Sequence, residues 1–236
     1  MTSAQIVYNI IGCIPENEMI IAAKLYAQKL SNEVTEFAYY KTMERLCKAG
    51  VLCKIAKGIY YRPKISQYGI VPLSQKDIVS AFTEPDRGMV VGYSLYNSLK
   101  LTTQVSKKIE VFSSALDQQT KTINNVLLRY CNLRFTQEVK STISMLEVLQ
   151  NFGEIQDLDY ARFMELCECF SKIYSDEVFE EVYCQKKYQK RTISFLRDIL
   201  RFYRISNNLN RYLSNLSKYN HPAIEEIYKS IYTPVS

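Results

Sequence analysis

This chain of 236 residues contains one histidine, the side chain most often used for proton transfer and a common metal ligand. The single histidine, His221, leaves one base for any nucleophilic serine or cysteine and excludes sites with several histidine ligands. Acid pairs such as Asp157 with Asp159, or Asp176 with Glu177, are candidates, but acids at the start of a helix are favoured by its dipole. No glycine-rich phosphate loop is present. We therefore expect a protein that is not an enzyme, with no catalytic residue and no cofactor.

The cysteines are too irregularly spaced for a metal site. There are seven, no CxxC occurs, and Cys167 with Cys169 form only a CxC. We interpret them as reduced and mostly buried, as in a cytoplasmic protein, and we expect no bound metal. Residues 1–14 lack the basic start and the cleavage site of a signal peptide. No run reaches the roughly 20 apolar residues of a membrane span, so we also expect no membrane partner.

Basic side chains recur at helical spacing in one segment. Lys41, Arg45 and Lys48 are spaced i, i+4 and i+7, and Phe37 flanks this stripe near its N-terminal end. At roughly 100° per residue the opposite side of the helix receives Glu36, Tyr39, Tyr40, Met43, Leu46 and Cys47. One face therefore packs on a core and the other is cationic, which is the division that a DNA-reading helix needs. A solvated basic helix face is the alternative interpretation.

Three more basic residues follow in a short hairpin. Lys54, Lys57 and Arg62 lie in or beside the two strands predicted at 51–55 and 59–62, which a turn at Lys57 and Gly58 connects. Such side chains are suited to contacts with phosphates, which contribute affinity without sequence information. Residues 1–72 contain nine basic and five acidic side chains, within a formal net charge of +6 for the chain.

The elements around these residues predict the first of three domains. Helices are expected at 5–14, 18–30 and 36–49, with Thr35 as the N-cap of the third helix and Gly50 just after its end. Three helices followed by a tight hairpin are typical of a winged helix-turn-helix, which we assign to residues 1–68. The same order also occurs in protein-docking modules, so this alternative stays open.

The rest of the chain predicts an α+β protein with a helical end. Residues 69–153 read as a small α+β domain, with strands near 89–91, 109–112, 123–131 and 133–135 and a closing helix at 141–152. Residues 154–236 contain no glycine and show helical periodicity throughout. Within this third domain, 154–184 carries a net charge of −7 and 185–219 carries +8. Either two helices of opposite charge face each other, or the basic segment binds a polyanion or a protein partner.

Two motifs resemble those of the AbiEi-type antitoxins and their transcriptional-regulator relatives. They are RLCKAGVLCKIAKGIYYRP at 45–63 and GYSLYNSLKLTTQVSKKIEVF at 92–112. The family combines a winged helix, whose wing reads K/R-G-[IV]-Y-x-x-P, with an L-T-T-Q-V signature, and the resemblance covers roughly residues 5–153. Two positions depart from the pattern, because a glycine usually stands where this chain has Lys100 and a proline where it has Ser106.

The resemblance implies a regulator that binds double-stranded DNA at inverted repeats in its own promoter and represses its operon. It also implies an antitoxin that counteracts a nucleotidyltransferase-type toxin of a bacterial phage-defence module, without requiring a stable complex. The DNA contacts would come from the helix at 37–48 and the wing at 54–62. A role of unknown kind falls on the polar triplet Thr102, Thr103 and Gln104, for which a capped turn is the simpler interpretation.

Overall fold

The computed structural model describes residues 1–214 and 216–232, and it is a mixed α+β structure with a helical C-terminal segment. The coarse fold class predicted from the sequence is therefore confirmed. The chain forms two compact units, one of Met1–Ala81 with Thr122–Val126 and one of Phe82–Lys121 with Leu127–Ser236. The predicted division at residues 68 and 153 stays a prediction.

The first unit is built from three helices and a three-stranded sheet. In chain order these are α1 (Ser3–Gly12), β1 (Met19–Ile21), α2 (Ala22–Lys29), α3 (Glu36–Lys48), β2 (Cys53–Ala56) and β3 (Ile59–Tyr61). The sheet is antiparallel with strand order β1-β3-β2, so Met19 and Cys53 lie on opposite sides of Tyr61. The core beneath it is made of buried apolar side chains from all three helices and the sheet: Val7, Ile11, Ile20, Ala22, Leu30, Val34, Tyr39, Met43, Leu46, Leu52 and Tyr60.

The helix predicted at 18–30 is wrong in its first turn. Met19–Ile21 forms β1, and α2 begins only at Ala22. The residues from Ala22 onward are good helix formers, but Ile20 and Ile21 are β-branched and pair with Tyr60 and Ile59 of β3. A strand forms here because a partner about 40 residues away in the sequence supplies its hydrogen bonds.

Both predicted boundaries of α3 are confirmed. The Thr35 hydroxyl accepts a hydrogen bond from the backbone N–H of Ala38. Gly50 has a φ of +74°, and the N–H of Val51 donates to the Leu46 carbonyl while that of Gly50 donates to Cys47. This pair of bonds is a Schellman motif, which ends a helix with a left-handed residue.

The remainder of the first unit has elements that the sequence patterns did not predict. A hairpin of β4 (Lys64–Ser66) and β5 (Gly69–Val71) follows, and its cross-strand pair Ile65 and Ile70 is exposed. Helix α4 (Gln75–Thr83) begins in this unit and ends in the second. The Asp77 carboxylate accepts hydrogen bonds from Ser74, which lowers the pKa of this acid.

The second unit contains a sheet and a helical bundle that share one core. The strands of this sheet are β6 (Gly88–Val91), β7 (Ile109–Ser113), β8 (Thr120–Ile123) and β9 (Val126–Tyr130), in sheet order β6-β7-β9-β8. The end of β8 and the first residue of β9 belong to the segment Thr122–Val126, which is grouped with the first unit. The helices of the second unit are α5 (Tyr93–Ser98), α6 (Gln137–Gln150), α7 (Tyr160–Ser171), α8 (Asp176–Gln185), α9 (Lys190–Phe202) and α10 (Ile224–Tyr232). Helix α6 is buried along most of its length and packs on α7, α8 and α9. The strand predicted at 133–135 does not form.

Two expectations about single residues were wrong. Only Cys131 and Cys167 of the seven cysteines are buried, and Cys13, Cys169 and Cys184 are exposed, although none forms a disulfide. Of the predicted helix-start acids, Asp157 lies in a loop with a φ of +52°. Asp159 does cap α7 by accepting from the N–H of Arg162, and Asp176 and Glu177 do lie in the first turn of α8. In the described ranges no helix is long and apolar enough to cross a bilayer.

Candidate nucleic-acid interface

One face of α3 is fixed in place by the core of the first unit. Tyr39, Thr42, Met43 and Leu46 are buried, and the Tyr39 hydroxyl donates to the Ala22 carbonyl at 3.0 Å. The Thr42 hydroxyl donates to the carbonyl four residues before it. Burial raises the pKa of Tyr39, so its hydroxyl stays a proton donor. These contacts fix the rotation of α3 about its own axis.

The opposite face of α3 exposes all four side chains predicted for it. Phe37, Lys41, Arg45 and Lys48 are exposed, and the Lys41 ammonium lies 5.5 Å from the centre of the Phe37 ring. Glu44 is exposed on the same face, between Lys41 and Lys48. The sequence interpretation missed Glu44 because it followed only basic residues, although the i+7 spacing from Phe37 places it there. The face is therefore mixed in charge.

The predicted hairpin residues have different surroundings. Lys54 is exposed on β2, and Lys57 is exposed at the turn, where Gly58 has a φ of +73°. The Arg62 guanidinium instead turns back to α1, where its Nη1 donates to the carbonyls of Gly12 and Ile14. Arg62 thus binds the last carbonyl of α1, at Gly12, and the Ile14 carbonyl two residues beyond the helix; carbonyls at the end of a helix have no partner within it.

Thiols and phenols at the edge of this surface are kept neutral. Burial is the main cause that raises the pKa of Cys47, and it also raises the pKa of Tyr60. The pKa of Tyr61 is raised to about 12 by burial and by its hydrogen bond with Cys53. Neither a thiolate nor a phenolate therefore adds negative charge here at neutral pH.

The polar triplet predicted in the second unit forms a capped turn. The buried Thr102 hydroxyl donates to the Gln156 carbonyl at 2.7 Å and accepts from the N–H of Gln104 at 3.1 Å. The Gln104 side-chain amide donates to the Asp157 carboxylate at 2.9 Å, whereas Thr103 is exposed. These contacts tie the turn to the loop before α7, as the simpler interpretation of the triplet requires.

A polar cavity of about 370 Å³ also lies in the second unit. The buried carboxylate of Glu147 accepts from the Tyr188 hydroxyl at 2.9 Å and pairs with the Lys186 ammonium at 3.0 Å. At its rim Arg129 pairs with Glu110 at 3.0 Å. Burial, and then the charge of Glu147, raise the pKa of Tyr188. Each charge in these two ion pairs is thus balanced by a partner within the protein. In the sequence, this network was indicated only by Glu147, an acid inside the apolar run of α6.

Among the described residues, one ion pair joins the oppositely charged segments of the third predicted domain. Arg211 of the basic segment pairs with Glu180 of the acidic segment at 2.8 Å. Other acids of that segment pair locally, Glu165 with Arg162 and Glu168 with Lys172. Both the structural and the binding interpretations of these segments therefore stay open. The described residues contain no group of three or more His, Cys, Asp or Glu side chains that could hold a metal ion.

Residues 23–137 match the family model of DUF6088, described as a family of unknown function. No curated protein matches the chain. Among solved structures, the crystal structure of the RV2827C protein from Mycobacterium tuberculosis is similar over 85% of this chain and 77% of that chain, with 11% identity and a TM-score of 0.39. That likeness is too remote to bear on function.

The match to DUF6088 includes both groups of residues singled out from the sequence. It begins within α2 and contains all of α3, the β2–β3 hairpin and the Thr102 turn. It ends at the first residue of α6, so the helical bundle from α7 onward lies outside it. The chain is thus similar to DUF6088 in the part that carries the basic surface.

Proposed function

We propose that the chain is a DNA-binding transcriptional regulator whose first unit is a winged helix-turn-helix. In this proposal α3 enters the major groove and the β2–β3 hairpin is the wing. The observation that carries it is the division of α3 into a face held by Tyr39, Met43 and Leu46 and a face that exposes Phe37, Lys41 and Arg45. A major groove about 12 Å wide admits a helix presented in this way.

The order of the elements supports the same interpretation. A strand precedes α2 and joins the hairpin as a third strand, so β1, β3 and β2 form one small sheet beside three helices. Tyr39 links α3 to the start of α2, and the Tyr26 hydroxyl donates to the Val34 carbonyl in the turn between the two helices. The Tyr26 hydrogen bond thus stabilises the turn between α2 and α3, and the Tyr39 hydrogen bond fixes α3 against the start of α2.

The basic residues divide into two roles on DNA. Lys41 and Arg45 face the groove, where arginine and lysine bind the O6 and N7 atoms of guanine. Lys48, Lys54 and Lys57 contact phosphates. Arg62 is excluded from this second role because its guanidinium binds carbonyls of the protein. If these three lysines each neutralise one phosphate, the logarithm of the binding constant should fall with the logarithm of salt concentration at a slope of about −3.

The resemblance to AbiEi-type antitoxins extends the proposal to the cellular role. The protein would repress its own toxin-antitoxin operon at inverted repeats and counteract a nucleotidyltransferase-type toxin, without being an enzyme itself. A test is co-expression with the neighbouring gene of the operon, which this proposal expects to encode a nucleotidyltransferase-type toxin. The wild-type protein should restore the growth of cells that express the toxin. Deletion of this protein's gene should arrest growth, and a copy of the gene supplied in trans should restore it. Growth that stays arrested rejects the antitoxin role and leaves the DNA-binding role in place.

Mobility shifts with the DNA upstream of the operon test the DNA-binding role. The double variant Lys41→Ala with Arg45→Ala should bind at least tenfold more weakly than wild type. The control Lys187→Ala with Lys190→Ala also removes two exposed lysines, and it should bind as wild type does. Unchanged binding by the first variant rejects α3 as the reader, and weakened binding by the control moves the DNA site to the basic segment 185–219.

Protein docking is the competing function, because Phe37 and the charged segments are also suited to a protein partner. Pull-downs with the full chain, with and without nuclease, separate the two. We expect bound nucleic acid that nuclease removes. A protein partner that persists after nuclease treatment, together with the absence of DNA binding, favours docking.

A further inference from the structure

Phe37 is a large apolar side chain that lies outside the core of the first unit. Its side chain is 76% exposed, although it lies on the second residue of a helix whose other large apolar side chains are buried or half-buried. It contributes nothing to the core of the first unit. A phenyl ring held mostly in water gains little from burial in the free protein, where the contact that the structure gives it is the one with the Lys41 ammonium.

The position of Phe37 is at the end of α3 that a reading helix presents to bases. Thr35 caps that end, and residues near the N-terminus of a recognition helix contact base edges. Counted at 100° per residue, Lys41, Glu44 and Lys48 all project within about 40° of Phe37, so the ring lies at the middle of the exposed face. The Lys41 ammonium contacts the ring, and a cation–π contact of this kind holds both side chains on that face.

We infer that Phe37 contacts the C5-methyl group of a thymine in the major groove. This inference rests on the proposed DNA-binding function. The thymine methyl is the apolar group on the major-groove edge, and phenylalanine is one of the side chains that contact it. Against a polar base edge, the same ring would remove water from donors and acceptors without replacing their hydrogen bonds. Phe37 therefore selects thymine at one position of each half-site.

The test compares thymine with uracil, which differ only by this methyl group. Duplexes that bind the full wild-type chain are first selected from a randomised pool. Each thymine of a selected duplex is then replaced in turn by uracil, and affinities are measured by fluorescence anisotropy. At one position per half-site, uracil should weaken binding about fourfold, as expected for the burial of one methyl group. Phe37→Ala should bind the thymine and uracil duplexes equally well.

A matched variant controls for the loss of an exposed aromatic side chain. Tyr8 is 53% exposed on α1 of the same unit, and Tyr8→Ala should keep the wild-type preference for thymine. Phe37→Leu should keep part of it, because leucine is still apolar. If Phe37→Ala retains the full preference, or if uracil weakens binding at no position, the inference is overturned while the DNA-binding function stands. If no duplex is selected at all, both are overturned.

Discussion

Arg62 and Lys54 have the same charge and lie close together in the sequence, but their side chains have different surroundings in the structure. Lys54 extends from β2 into solvent, whereas the Arg62 guanidinium reaches back to the carbonyls of Gly12 and Ile14. A guanidinium has five donors in a fixed plane, so it can bind two carbonyls at once. The sequence contained no sign of this, because α1 ends about 50 residues before Arg62.

Arg62→Ala should therefore lower the stability of the folded protein. We expect a loss of about 1–2 kcal/mol in the free energy of unfolding, since hydrogen bonds from a charged donor are lost at the end of α1. Lys54→Ala should change it by less than about 0.5 kcal/mol, as surface substitutions do. Urea denaturation followed by circular dichroism measures both. Equal midpoints for Arg62→Ala and wild type would contradict the assigned contact.

Phe37 and Glu44 show what residue types alone can predict. The exposed face of α3 follows from the 3.6-residue period, so the positions of Phe37, Lys41, Arg45 and Lys48 were predictable. The same helical spacing places Glu44 on this face, although the predicted face contained only basic residues and Phe37. A carboxylate on this face repels phosphates and can accept a hydrogen bond from the N4 amino group of cytosine. In the proposed DNA-binding function, Glu44 would contribute selectivity for the base at a cost in affinity for DNA.

At the scale of elements, the end of α5 is held in a conformation that its residue disfavours. Lys100 has a φ of +60°, and the N–H of Leu101 donates to the Tyr96 carbonyl while that of Lys100 donates to Asn97. This is the Schellman motif that also ends α3, where the left-handed residue is Gly50. The family pattern that this chain resembles has glycine at the position of Lys100, which suits the conformation found here.

Lys100→Gly should stabilise the protein by about 1 kcal/mol, because glycine adopts a positive φ without the clash of a Cβ atom. The control is Lys108→Gly, at an exposed position without a positive φ. There the added freedom of the unfolded chain should leave stability unchanged or lower it. Thermal and urea unfolding of the two variants give the comparison. If the Lys100→Gly protein is less stable than wild type, the lysine side chain makes a contact whose stabilisation exceeds the cost of its positive φ.

At the scale of the whole molecule, several tyrosine hydroxyls and two cysteine thiols are buried or half-buried in their neutral forms. Burial is the main cause that raises the pKa of Tyr39, Tyr96, Tyr174 and Tyr203, and it also raises the pKa of the Cys131 and Cys167 thiols. In the unfolded chain these groups ionise at their ordinary values, near 8.5 for a thiol and near 10 for a tyrosine. The folded state therefore keeps protons that the unfolded state releases.

Stability should be constant between about pH 7 and 8 and should fall as the pH rises further. The first decrease is expected near pH 8.5 from the thiols, with a steeper one above about pH 10 from the tyrosines. The sign follows from linkage, since stability falls with pH wherever the unfolded state binds fewer protons than the folded state. Urea midpoints from pH 7 to 11 measure this dependence, and absorbance at 295 nm reports tyrosine ionisation. Flat midpoints up to pH 11 would contradict it.

The sequence by itself determined the local features of this protein. The period of apolar residues, the Thr35 cap and Gly50 specify α3 and its exposed face, because each depends on neighbours within four residues. The α+β class and the helical end also followed from local pattern. Only the tertiary structure decided that Met19–Ile21 is a strand, that Arg62 binds α1 and that Glu147 is buried with Lys186 and Tyr188. Each of these depends on a partner about 40 or more residues away, and a pattern read along the chain does not specify which distant groups will meet.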